Sequence, residues 1–138
     1  MALYTASSKA SGGRQGKVES SDGTLNLSLS LPKGLGGNEK AGTTNPEQLF
    51  SAGYAACFDS ALHLVAGQKK KRITSEVTAE ISIDKQPEGF GLSAQLIVEM
   101  NGVSQQEAEE LVEKAHQVCP YSRAVQGNIE VRKRVITK

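Results

Sequence analysis

Leucine alternates with small polar residues through "TLNLSLSLP": Leu25, Leu27, Leu29 and Leu31 fall on one side, Asn26, Ser28 and Ser30 on the other. A period of two is that of an extended strand with one apolar face. "SDG" at residues 21–23 is a hairpin turn signal, which makes the preceding "QGKVES" the partner strand. "SGGR", ending at Arg14, marks a glycine bend from an earlier strand at residues 3–8. Two further alternating runs come later. "SEVTAEISID" sends Val77, Ala79, Ile81 and Ile83 one way, and after the turn at "QPEG", "FGLSAQLIVEM" does so with Phe90, Leu92, Ala94, Leu96, Val98 and Met100. "NIEVRKRVI" reads as a last strand.

The pattern changes to a helical one twice. In "NPEQLFSAGYAACFDSALHLVAG", Asn45 is a good N-cap, Pro46 suits the first helical position and Gly67 suits the stop. This helix is apolar or small nearly all the way round, so it is expected to be mostly buried. One small β-layer cannot cover it, and the small residues at positions 52–56 would admit a second helix, including one from a second subunit. In "VSQQEAEELVEKAHQVCP", Ser104 and Glu107 form a capping box. Ala108, Leu111, Val112, Ala115, Val118 and Cys119 recur at three- and four-residue spacing, which defines the buried stripe. Pro120 disfavours helix at Cys119, so the helix should end there. The order βββ-α-ββ-α-β describes an α+β chain, read as one domain over residues 1–138. A Gly-, Asn- and Thr-rich loop at residues 32–44 is near the upper length for an ordered loop and suggests a binding or covering role.

Composition narrows the function. Hydrophobic residues make up 38% of the 138, aromatics only 4%, and tryptophan is absent. That is a thin core, and oligomerisation would help to complete it. Net charge is +1, which gives no electrostatic case for nucleic acid or an anionic membrane. The "KKKR" run at residues 69–72 has no interleaved aromatics and reads as a solvated loop. The N-terminus has no apolar signal region and no run approaches a membrane span, so a soluble cytoplasmic protein is expected. In that compartment two cysteines, Cys57 and Cys119, are expected as thiols rather than as a permanent staple.

Helical spacing sends both cysteines to the inner surface, where a free thiol is often only a small hydrophobe. Polar neighbours weigh against that. A guanidinium lowers a thiol pKa and a carboxylate can hold the guanidinium's fork, which makes Arg14 and Glu47 of interest. Equally, Glu47 could serve only the helix dipole, and Arg14 could be an ordinary turn residue. Cys119, at a helix C-terminus, is a poor standing thiolate, so Cys57 is the better nucleophile if Arg14 reaches it. His63 is six residues after Cys57, and His116 and Cys119 are at i, i+3. No paired Cys or His spacing supports zinc, and no G-x-S-x-G elbow supports a serine hydrolase.

Together the blocks "SGGRQGKVESSDGTLNLSLSLP", "TNPEQLFSAGYAACFDSAL", "GFGL" and "AHQVCPYSRAVQGNIEV" resemble the organic hydroperoxide resistance proteins of the Ohr/OsmC superfamily. The resemblance covers nearly the whole chain, and "VCPYS" points to the hydroperoxide-resistance branch. It implies an OsmC-like fold, an intertwined homodimer with two interface active sites, and a thiol peroxidase for alkyl and fatty-acid hydroperoxides. By motif position, Cys57 matches the peroxidatic cysteine, Cys119 the resolving cysteine, Arg14 the thiolate-activating arginine and Glu47 the glutamate that orients it. No metal, haem or flavin is implied; dihydrolipoyl groups on a lipoylated protein are the external reductant. Gln15, the doubled Thr43–Thr44 and the basic loop depart from the family pattern without touching these four positions.

Ten residues separate Glu47 from Cys57, roughly 15 Å along one helix. A site using both is therefore expected to draw on both subunits, with Arg14 spanning the gap. The rival readings are a redox sensor that uses the same cysteines without turnover, and a non-enzymatic ligand-binding dimer with inert thiols.

Overall fold

A computed structural model describes residues 1–138, which form two compact units, Met1–Leu49 and Phe50–Lys138. In the first, β1 (Ser8–Ser11), β2 (Lys17–Ser20) and β3 (Asn26–Ser28) make an antiparallel sheet in the order β1-β2-β3. Its first strand lies later than the sequence pattern places it, directly against the glycine bend. The bend is a 3-10 turn, Gly13–Gln15, entered through Gly12 at φ 79. Gly16 closes it so tightly that a β-carbon there would lie 1.7 Å from the Ser11 carbonyl oxygen, so only glycine fits.

The 32–44 loop is tied to this sheet. Leu29 bridges Thr44 in parallel, the Ser30 hydroxyl contacts Thr43 Oγ1 and accepts from the Lys40 amide, and Thr44 N–H donates to the Ser28 carbonyl. The loop thereby delivers Asn45, whose Oδ1 accepts from the Gln48 amide at 2.7 Å and starts α1 (Pro46–Gln68). The expected N-cap is present.

In the second unit β4 (Thr74–Gln86) and β5 (Gly89–Asn101), 13 residues each, form an antiparallel hairpin, and β6 (Val131–Thr137) adds in parallel to β5. A parallel return needs a crossover. α2 (Gln105–Val118) and α3 (Pro120–Val125) supply it. α2 opens with the expected capping box: Ser104 Oγ accepts from the Glu107 amide, and the Glu107 carboxylate accepts from Ser104 N–H. The core comprises Tyr54, Phe58, Leu62 and Val65 of α1, Ala94, Leu96, Val98 and Met100 of β5, and Ala108, Leu111, Val112 and Ala115 of α2.

Several details differ from the sequence reading. Phe90 and Val118 are exposed, Phe90 because it lies at the hairpin tip and Val118 because the last turn of α2 rotates it off the stripe. Gly67 does not end α1; Lys70 takes the left-handed position at φ 56, with Lys71 N–H donating to the Ala66 carbonyl and Lys70 N–H to that of Gly67. Pro120 does end α2, but it also begins α3, where its fixed φ suits the first helical turn. α1 is long and apolar enough to cross a membrane by length and composition, contrary to the sequence expectation. Its inward face is nevertheless the core of the second unit, while Ala52, Ala56 and Leu64 are exposed on the single chain.

Candidate active site

Two pairs of the residues singled out by sequence are brought together. In the first unit Arg14, raised on the glycine bend, meets Glu47 in the first turn of α1. Its Nη1 donates to Oε2 at 2.9 Å and its Nη2 to Oε1 at 2.6 Å, a fork-on-fork contact. The hydrogen bond from Arg14 holds the Glu47 carboxyl below its usual range, and the same bond raises Arg14. The Arg14 side chain keeps 36% of its exposure and that of Glu47 13%, so the arginine is the more open partner of the pair.

In the second unit Cys57, half-buried on α1, faces Cys119, fully buried at the α2–α3 junction. The two sulfurs are 3.7 Å apart, within reach of a shared S–H···S contact. Burial pushes the Cys57 thiol up; the backbone N–H of Tyr121 pulls the other way, and the Cys119 thiol adds to the rise. Within this unit burial thus favours the thiol form of Cys57, and a nearby cation would favour its thiolate. Cys119 is the C-cap of α2 and at once the N-cap of α3. The negative end of one helix and the positive end of the other coincide at it, so the helix-end argument from sequence counts only half of its surroundings.

Three aromatic rings wall the dithiol region. Phe50, Tyr54 and Tyr121 pack at centroid separations of 5.7–6.0 Å. Tyr121 lies so close over α1 that a β-carbon at Gly53 would come within 2.7 Å of its hydroxyl. Under this wall Tyr54 Oη contacts Ser122 Oγ at 2.6 Å, and Ser122 Oγ contacts His116 Nδ1 at 2.9 Å. Sequence reading singled out neither Tyr54 nor, beyond its place in "VCPYS", Ser122, and weighed His116 only as a metal ligand. The available signal was spacing: Tyr54 is three residues before Cys57 on one helix, and Ser122 three after Cys119.

His63 does not join this region. Its Nε2 contacts Ser75 Oγ at 2.8 Å, and the Ser75 hydroxyl donates to Asp59. A serine whose proton is held by a carboxylate is not poised for attack, so the trio does not make a hydrolase site.

The OsmC-like protein family model matches residues 36–133. The organic hydroperoxide resistance protein OhrA of Bacillus subtilis (strain 168) is 51% identical over 131 residues, covering 94% of this chain and 93% of the relative. Among solved structures, an organic hydroperoxide resistance protein OsmC from Legionella pneumophila superposes with a TM-score of 0.93 at 51% identity, covering 99% of each chain. One from Elizabethkingia anophelis, with thiocyanate bound, gives 0.93 at 48% identity, again covering 99% of each. The α+β frame is thus that of the OsmC-like proteins. Within that class, this chain belongs to the organic hydroperoxide resistance family.

Proposed function

We propose that the protein reduces organic hydroperoxides to alcohols by thiol chemistry at Cys57 and Cys119. The observation that carries this is the 3.7 Å approach of the two sulfurs, both free thiols, one half-buried and one sealed in. The half-buried sulfur is the one a substrate can reach. As thiolate, Cys57 attacks the distal peroxide oxygen; the O–O bond breaks, the alkoxide takes a proton and leaves as alcohol, and Cys57 is left as a sulfenic acid. Cys119 then displaces the hydroxyl, forming the Cys57–Cys119 disulfide and water. An external dithiol, which we assign to dihydrolipoyl groups on a lipoylated protein, takes over the disulfide by exchange.

Because burial raises the Cys57 thiol, activation needs a positive charge, and we assign it to Arg14, oriented by Glu47. This assignment rests on motif position and on the fork between the two side chains. The working form is a homodimer in the cytoplasm, where thiols stay reduced between turnovers. No bound cofactor enters the scheme. The aromatic rings of Phe50 and Tyr121, packed over the buried Tyr54, favour an alkyl chain over a small polar peroxide.

The test compares Cys57→Ser and Cys119→Ser during consumption of an alkyl hydroperoxide with dihydrolipoamide. Cys57→Ser should consume none. Cys119→Ser should complete one oxidation and accumulate a trappable sulfenic acid. Equal behaviour of the two variants would refute the division of roles, and one equivalent consumed without turnover by the unmodified protein would favour a redox sensor.

A further inference from the structure

Ser122 is the one polar residue sealed into the core of the second unit, 1% exposed, and Tyr54, whose hydroxyl it contacts, is fully buried. Burying hydroxyls costs free energy unless they are paired, and a Phe–Ala pair would fill the same space without them. The pair is also placed in a particular way. Tyr54 and Cys57 lie at i, i+3 on α1, hence on one face. Cys119 and Ser122 lie at i, i+3 across the start of α3. The same two segments are therefore joined twice in parallel, once by Tyr54 with Ser122 at 2.6 Å and once by Cys57 with Cys119 at 3.7 Å.

We propose that Tyr54 and Ser122 are positioning residues for disulfide formation, their hydrogen bond holding the α2–α3 junction against α1 so that the Cys119 sulfur faces that of Cys57. To form the disulfide the sulfurs must close from 3.7 Å to about 2 Å. A junction free to slide or rotate would spend most of its time outside that approach, which lowers the effective concentration of one thiol at the other. His116 gives the clamp a direction. The Ser122 hydroxyl has one proton, so when it donates to His116 Nδ1 it must accept from Tyr54. Burial and the nearby Lys133 favour neutral His116 against the opposing pull of Glu113, and in its Nε2–H tautomer the neutral ring leaves Nδ1 free to accept.

The inference rests on the hydroperoxide-reductase reading, but its test does not depend on peroxidase turnover. The full-length protein and its Tyr54→Phe, Ser122→Ala and double variants are equilibrated with reduced and oxidised dithiothreitol, and the Cys57–Cys119 disulfide is quantified. Each single variant should lower the disulfide's equilibrium constant roughly 3- to 10-fold, the loss of one buried hydrogen bond. The double variant should fall no further than Ser122→Ala, since the Tyr54–Ser122 bond is already lost in each single variant. In parallel, one equivalent of tert-butyl hydroperoxide is added with dimedone present; the ratio of trapped sulfenic acid to disulfide should rise by a similar factor in the variants.

Equilibrium constants and partition ratios equal to those of the unmodified protein would overturn the clamp, as would strictly additive losses in the double variant. Should Tyr54→Phe not fold, Ser122→Ala alone decides by the same readouts. If the unmodified protein forms disulfide with dithiothreitol but not with hydroperoxide, the reductase reading fails while the clamp is still decided by the titration.

Discussion

At the scale of single residues the chemistry divides between a thiol that its own surroundings keep protonated and a cation held in a fork. If Arg14 supplies the activating charge, Arg14→Gln should raise the apparent pKa at which iodoacetamide alkylates Cys57, and slow that alkylation at neutral pH. Glu47→Gln, which loosens the fork but leaves the charge, should shift it less. An unchanged alkylation profile in Arg14→Gln would remove Arg14 from the scheme. His116 has a separate signature. Its folded pKa lies below the ordinary 6.5 chiefly through burial, so below that pH the unfolded chain binds the proton first. The stability it contributes is complete above about pH 6.5 and is lost as pH falls through its folded value. His116→Gln should therefore flatten the fall of the urea midpoint between about pH 7 and 5, and an equally steep fall would contradict this burial effect.

At the scale of elements, the end of α1 is held by a residue ill suited to its position. Lys70 carries a positive φ that costs a side-chain-bearing residue about 1 kcal/mol. Lys70→Gly should raise stability by roughly 0.5–1 kcal/mol, read from the denaturant midpoint; a loss would mean that the lysine side chain matters there. The same helix end shows what a sequence pattern conveys and what it does not. Periodicity located both long helices and the β4–β5 hairpin, because each buries one face of residues close in sequence. Gly67 looked like the stop because glycine favours the left-handed turn, yet the Schellman bonds form three residues later, set by where the core contacts of α1 run out at Ala66. α3 was hidden for a related reason: one proline both ends a helix and starts another, and only the direction of the following chain decides. The parallel seating of β6 on β5 is a long-range pairing that no local pattern encodes. Of the candidate site, Cys57, Cys119, Arg14 and Glu47 were legible from their motifs. Tyr54 was not, because an aromatic residue on an apolar helix looks like core until its hydroxyl finds Ser122.

At the scale of the whole molecule, α1 leaves Ala52, Ala56 and a 57%-exposed Leu64 outside the core of the chain. Small residues on a helix face allow close approach of a second backbone, which fits the proposed homodimer. Sedimentation equilibrium should show a dimer, and Ala56→Glu should shift it toward monomer. A monomer at micromolar concentration in the unmodified protein would contradict the assembly.

The opposition of Cys57 and Cys119 also reaches beyond the site. They are 62 residues apart in sequence, so a bond between them would close a loop of nearly half the chain. Such a loop removes conformational freedom from the unfolded chain worth roughly 4 kcal/mol. The cycle we propose would then alternate between a more and a less heat-resistant protein, and the melting temperature would gauge how far oxidation outpaces the reductant.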